Sequence, residues 1–304
     1  MMEYIVRAEE EGRRLRDILR RSMQLSYSAL KRVKWNGEIL LNGEPAHTDI
    51  RVRAGDRVTA SWPEDEPVYP PHPCPMALSI PWMDEQLIIA DKPAGIASQS
   101  SRNHPENSLE NGIYAWLGCP DPFVYRPVNR LDKGTGGLMV IARNGHSQHL
   151  LQQALHTPDF RRRYLALTDG IPPETEGVLD FPIAKVPDAS VRRRVDPAGK
   201  PCVTRYRVLE ERGGRALVLL ELETGRTHQI RVHLSHIGCP VHGDFLYGRE
   251  DPEAFPGCFA LHSAALRLKH PLTGETLQLV SLPDWAKHTD PALLTGFVFS
   301  GNFD

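Results

Sequence analysis

Apolar residues at Leu15, Ile18 and Leu19, and again at Leu25, Ala29 and Val33, recur at the spacing of one helix face, which predicts two short helices within RRLRDILRRSMQLSYSALKRVK. Ser26 or Ser28 is placed to cap the second. In WNGEILLNGEPAHTDIRVRAGDRVTA the pattern changes to short strands punctuated by Asn36-Gly37, Asn42-Gly43 and Ala54-Gly55-Asp56. A compact module over residues 1–62 follows. The next stretch, 63–75, PEDEPVYPPHPCP, has no period and reads as a linker stiffened by proline. Over 76–304, LIIA (87–90), GLMVIA (137–142), RYLALTDG (163–170), TRYRVLEE (204–211) and ALVLLELE (216–223) read as strands, and HSQHLLQQALHT (146–157) and RTHQIRVHLSHIG (226–238) as helices. Strands outnumber helices and often follow one another directly. The fold class is therefore α+β, with a mixed, mainly antiparallel sheet.

A chain of 304 residues has room for two cores. No apolar run approaches the ~18 residues of a membrane span and the start lacks the apolar core of a signal peptide, so a cytoplasmic setting with no membrane partner is expected. The five cysteines are scattered without CxxC spacing, against both a disulfide framework and a zinc knuckle. Net charge is only -2, so charge distribution matters more than the total. Arg13, Arg14, Arg16, Arg20, Arg21, Lys31, Arg32 and Lys34 crowd the two N-terminal helices with a single acid, Asp17, among them. Such a run commonly only solvates a surface. Here the pattern RLRDIL, LSYSALKRVKWNGEILLNGEPA, RVRAGDRV resembles the S4 RNA-binding domain, and the resemblance implies helices that track an RNA backbone.

The most informative stretch is RPVNRLDKGTGGLMVIARN (126–144), in which Asp132 precedes a glycine-rich turn that feeds a strongly apolar strand. A carboxylate so placed sits at the rim of a core, where desolvation and a nearby cation tune it. Asp-x-Gly turns are common, so the placement alone does not make Asp132 catalytic. A phosphate-binding loop is a poor fit, because the glycines precede a strand rather than a helix. His228, His233, His236 and His242 invite a metal reading, yet HExxH is absent and no carboxylate stands at ligand spacing; GxSxG is absent too.

NRLDKGTGGLMVIAR resembles the HRLD-x-x-T-S-G-L signature of the RluA family of pseudouridine synthases. Three more blocks follow the family's order: DKPAGIAS (91–98), RRRYLAL (161–167) and GRTHQIRVHLSHIGCPVHGDFLYG (225–248). The resemblance implies Asp132 as the catalytic aspartate, Arg231 as its basic partner, Tyr164 as the ring that stacks on uracil, Arg130 as the side chain that fills the space of a flipped base, and Ile230 as an apolar wall. It also implies a buried, hydrogen-bonded His228 near the site. Asn129 stands where the family usually has histidine and Gly136 where it usually has serine, while Thr135 is retained; Asn129, Thr135 and His228 join the substrate-binding candidates.

The implied reaction breaks the N1–C1′ bond of uridine, turns the uracil and rejoins it through C5, without cofactor or metal. One carboxylate suffices, attacking C1′ or assisting loss of the 2′ proton. The target must leave its stack, which calls for aromatic and apolar faces and a cation. The implied partner is structured RNA, ribosomal or transfer, and no obligate protein partner is evident. The competing reading is a non-catalytic RNA-binding or ribosome-assembly protein.

Overall fold

The computed structural model describes residues 2–25, 27–61, 71–101, 105–187 and 191–287, with the side chains of Ser28 and Arg32 left out. The expected cap Ser26, most of the expected linker (63–70) and the Arg32 side chain therefore lie outside the described residues.

The N-terminal part holds β1 (Met2–Ile5), α1 (Leu15–Asp17), α2 (Tyr27–Asn36), β2 (Glu38–Leu41), β3 (Glu44–Pro45) and β4 (Arg57–Ser61). Its strands form an antiparallel sheet in the order β1-β4-β2-β3. Asn42 and Gly43, at φ 54° and 87°, make the two-residue hairpin turn that Asn-Gly favours. The first expected helix is short: after one α turn the chain widens over Ile18–Ser22, with the Met23 N–H donating to the Ile18 carbonyl at 2.9 Å. The widening still buries Leu15, Ile18 and Leu19 in a core with Leu25, Val33, Ile39 and Val58. Strand β1 was not foreseen.

From residue 79 onward come β5 (Ser79–Met83), β6 (Leu87–Lys92), α3 (Leu109–Trp116), β7 (Arg126–Pro127), β8 (Gly136–Ala142), α4 (Gly145–Ala154), β9 (Phe160–Asp169), β10 (Glu176–Asp180), β11 (Ile183–Lys185), β12 (Arg193–Val195), β13 (Val203–Arg212), β14 (Arg215–Leu222), α5 (Gln229–His236), β15 (Leu261–Lys269) and β16 (Thr276–Val280). The main sheet runs β10-β13-β14-β9-β15-β8-β6-β5, with β16 on β15 and β7 on β8; β11 and β12 pair separately. Among the described pairings β8 with β15 is parallel and the others are antiparallel, the mixed sheet that the strand-rich pattern predicts.

Strand β8 is buried along its whole length because both faces are covered. Leu138 and Val140 pack with Leu87, Ile89 and Leu151 of α4, while Met139 and Ile141 pack with Ile88, Ile113 of α3 and Leu234 of α5. The α3 and α5 side carries the site. Helix α5 starts later than the pattern predicts, because His228 adopts a left-handed φ of 59° and Gln229 Oε1 accepts from the Arg226 N–H at 3.0 Å. Among the described residues no helix is long and apolar enough to cross a membrane.

Candidate active site

Asp132 opens a tight turn in which the Thr135 N–H donates to the Asp132 carbonyl at 3.1 Å. The backbone on both sides of it is pinned. The Ser98 hydroxyl donates to the Leu131 carbonyl (2.6 Å) and accepts from the Leu131 N–H (3.0 Å), and Tyr125 Oη donates to the Ser98 carbonyl (2.9 Å). The Lys133 carbonyl accepts from the Gly95 N–H at 2.8 Å and from Lys92 Nζ at 3.4 Å. Lys92, buried at the end of β6, also donates to the Pro93 and Ile96 carbonyls, each at 2.9 Å. Burial draws its pKa down to about 8, against the opposing pull of Cys258, Asp132 and Asp91. The glycines serve packing. A Cβ on Gly134 would fall 2.5 Å from the Phe259 ring, and one on Gly137, at φ 106°, would collide with the Ser263 backbone.

Arg231, on α5, donates from Nη1 to Asp132 Oδ2 at 3.0 Å. Its Nε and Nη2 grip Asp244 at 2.7 and 2.8 Å, and Asp244 accepts in turn from the backbone of Leu246 and Tyr247. The guanidinium lies 4.2 Å from the Phe259 ring centre and 5.0 Å from that of Tyr247. Burial alone would lower the Arg231 pKa; Asp244 and then Asp132 outweigh it and the pKa rises. One oxygen of Asp132 is thus held by a cation that cannot swing away. Its Oδ1 has no hydrogen bond to a described residue.

His228 Nε2 lies 3.8 Å from Asp132 Oδ2, and its Nδ1 meets Tyr247 Oη at 2.8 Å. Tyr247 Oη also accepts from the Arg193 N–H at 2.8 Å, and the tautomer of the His228 ring decides which of the His228–Tyr247 pair donates. Burial pushes the His228 pKa down more than the Asp132 charge lifts it, so the ring is neutral at neutral pH.

Asp132 faces a cleft of ≈ 590 Å³ that Tyr164, Asn129, Arg130, Arg162 and Arg226 also line. Tyr164 is a buried member of its floor and Arg130 is exposed at its rim. Burial raises the Tyr164 pKa, so its hydroxyl stays protonated. Asn129 Oδ1 accepts from the Val140 N–H at 2.9 Å, while its buried Nδ2 has no partner. Ile230 and Thr135 are buried and not among the lining residues; Ile230 shares a core with Tyr164 and Leu131. Arg231 and His228 stand behind Asp132. The N-terminal cations do not line the cleft. Arg13, Arg14, Arg16, Arg20, Arg21, Lys31 and Lys34 are all exposed. Arg14 and Arg16 share Asp49 at 3.3 and 3.1 Å, and Arg20 donates to the Leu25 carbonyl at 3.0 Å.

The other histidines of the 225–248 block turn elsewhere: His233 lies between Thr204 and the Phe181 carbonyl, His236 packs against the Phe181 ring, and His242 lies between Asp169 and Asp251. Lys92, Asp244 and Tyr247 escaped the sequence reading. Asp244 left one usable signal, since it is the single acid in a block whose Arg231 must be buried with a counter-charge.

Residues 86–236 match the family model described as RNA pseudouridylate synthase. The uncharacterized RNA pseudouridine synthase YjbO of Bacillus subtilis (strain 168) is 36% identical over 245 residues, covering 80% of this chain and 85% of its own. Ribosomal large subunit pseudouridine synthase D of Escherichia coli (strain K12) is 35% identical over 266 residues, covering 82% and 80%. The solved structure of human RNA Pseudouridylate Synthase Domain Containing 4 superposes with a TM-score of 0.53 at 27% identity, over 68% of this chain and 89% of the human one. With identity of this extent running through the strands and loops that hold Asp132 in its cleft, the chain belongs to the RluA-type RNA pseudouridine synthases, enzymes that isomerise uridine to pseudouridine.

Proposed function

We propose that the chain isomerises uridines of large-subunit ribosomal RNA, with Asp132 as the catalytic carboxylate, Arg231 its fixed counter-ion and Tyr164 the ring against which the uracil lies. The carrying observation is the asymmetry of Asp132: Oδ2 is clamped by Arg231 at 3.0 Å, and Oδ1 is left for substrate at the edge of the cleft. A carboxylate restrained in this way stays aimed without reorganising as charge develops.

Oδ1 either bonds to C1′ as the N1–C1′ bond breaks or takes the 2′ proton as uracil departs; both routes release uracil with its electron pair on N1. The ring turns against Tyr164, and C5 bonds to C1′ as the Oδ1–C1′ bond breaks or, on the second route, as the 2′ proton returns from Oδ1 to C2′. The C5 proton is then lost while N1 gains one, so the product is an isomer and the carboxylate is regenerated. The protonated Tyr164 hydroxyl suits stacking rather than proton abstraction. Arg130 at the rim fills the place of the displaced base, and Asn129 Nδ2 offers a donor to the nucleotide that enters.

The assignment to the large ribosomal subunit rests on the names of relatives from Escherichia coli, Nitrosomonas europaea and Haemophilus ducreyi. Residues 1–62 act as the S4-like RNA-binding module, joined by a linker at 63–75 to the catalytic part at 76–304. Two features of α2 support this. Tyr27 and Trp35 are 75% and 72% exposed, and Lys31 lies between them at helical spacing, a cation amid rings suited to stacking on bases.

The test is to map pseudouridines in total RNA from cells with the gene, without it, and with only Asp132→Asn. A few large-subunit positions should vanish alike in the last two. Transfer-RNA positions vanishing instead would move the substrate; positions restored by Asp132→Asn would remove Asp132 from the chemistry.

A further inference from the structure

Three arginines stand in a row on β9, and strand alternation sends the middle one to the opposite side. Arg161 and Arg163 both meet Glu221, at 2.9 and 2.7 Å. Arg162 lines the cleft two residues from Tyr164, is only 5% exposed, and has no hydrogen-bond partner at Nε or Nη2. Those two donors form one edge of the guanidinium, the edge with which Arg231 grips Asp244. In Arg162 the same edge is bare.

The acids near it are engaged elsewhere: Glu221 with the flanking arginines, Glu223 with Arg205 at 2.6 Å, and Asp132 with Arg231. Other cations line the same cleft, Arg130 and Arg226 among them. Beside Arg162 the His156 ring is held neutral, first by burial and then by the Arg162 charge itself. A guanidinium withdrawn from water without an anion is costly, and the Phe160 ring, 5.9 Å from it, offsets only part of the cost. A phosphate fits both the charge and the two parallel donors.

We infer that Arg162 binds a backbone phosphate of the RNA next to the uridine that enters the cleft. The inference rests on RNA being the substrate of this cleft. Arg162 is a binding residue; Asp132 carries the chemistry. The phosphate grip fixes the sugar while the base turns, so the contact would hold the nucleotide through the step in which uracil is detached.

The test uses a ten-residue oligouridylate, measured by fluorescence anisotropy at several salt concentrations, with the full chain carrying Arg162→Met, Arg162→Gln or Arg162→Lys. Loss of one phosphate contact to a single strand should lower the slope of log affinity against log salt by about 0.7 in the Met and Gln variants, while Lys keeps most of the slope. Without RNA, the thermal midpoints of the Met and Gln variants should equal or exceed that of the wild type, because an uncompensated buried charge has been removed. An unchanged slope in both neutral variants overturns the inference. So does a lowered midpoint with an unchanged slope, which would make Arg162 a packing residue. If Arg162→Met does not fold, Arg162→Gln carries the comparison. Asp132→Asn, run alongside, should bind the oligonucleotide like the wild type; turnover by that variant would undo the catalytic reading and leave the Arg162 result standing.

Discussion

The charges of the catalytic cleft and those of the N-terminal module are held in opposite ways. Arg231 is buried with two carboxylates on its guanidinium, packed among aromatic rings. Arg14 and Arg16, on the basic helical segment, share one carboxylate with about half of each side chain in solvent. An exposed pair of that kind contributes ~0–1 kcal/mol, so it exchanges readily for a phosphate. A buried network resists any change of partner. The cleft is therefore organised to fix a geometry, whereas the exposed cations of the module can change partners, as the proposed RNA-binding role requires. Single substitutions in the Asp132–Arg231–Asp244 network should produce large losses that salt does not modulate; in the module, as at Arg162, they should produce smaller, salt-dependent ones.

The largest effect belongs to Asp132→Asn. The side chain keeps its shape and loses its negative charge and nucleophilicity, so single-turnover isomerisation, followed by release of tritium from C5-labelled uridine, should fall at least about a thousandfold, or ~4 kcal/mol in activation free energy. RNA affinity should change little. Turnover within tenfold of the wild type would show that the cleft does not work through this carboxylate.

Asp244→Asn probes the same network from behind. The substitution is isosteric, but it leaves the Arg231 charge with Asp132 as its remaining carboxylate, and breaking a buried pair from one side costs roughly 3–5 kcal/mol. Denaturant unfolding should show a loss of that order, and activity should fall because Arg231 no longer fixes Asp132. A variant as stable and as active as the wild type would mean that Asp132 needs no buried support.

How far the sequence revealed these features depended on the range of the contacts. Strands β6, β8, β9, β13 and β14 and helices α4 and α5 were legible, because each carries its own hydrophobic period. Helix α3 was not: LENGIYAW places Asn111 and Gly112 where a helix is unexpected, and only the structure shows Asn111 bonded back to Ser108 as a cap. Strand β15 was missed as well; it takes its place by pairing with β8 and β9, far away in sequence. The site divides likewise. Asp132, Tyr164 and Arg231 lie in motifs that resemble a family, whereas the support given by Lys92 crosses 41 residues to reach Lys133 and leaves no local pattern.

A smaller and global effect is expected from acid. Burial pushes the pKa of both His146 and His262 down to about 4, below the ~6.5 of an unfolded histidine. The unfolded chain then binds protons that the folded chain refuses, so this stabilising contribution is complete above pH ~6.5 and erodes as pH falls from there toward 4, by at most ~1.4 kcal/mol per pH unit for each histidine. Both residues belong to the catalytic part; residues 1–62 contain a single histidine, His47. Denaturant midpoints should therefore fall between pH 7 and pH 5, and His146→Gln should flatten that dependence. A midpoint equally pH-dependent in the variant would assign the acid sensitivity to other groups.

The finest test of the contrast lies in the module itself. Arg20, Arg21 and Lys31 are exposed cations on its helical segment and outside the cleft, so replacing all three by glutamine should leave the geometry around Asp132 untouched. If each meets one phosphate, the slope of log affinity against log salt for the target RNA should drop by about two to three, and affinity at physiological salt by about tenfold. At saturating RNA kcat should hold while KM rises, because the lost contacts are the same in ground and transition states. Rising salt should shrink the gap between variant and wild type, whereas the deficit of Asp132→Asn should persist at every salt concentration. A triple variant with an unchanged slope would reduce the basic helices to a solvated surface and place RNA recognition in the cleft, where Arg162 and Arg130 would have to supply it.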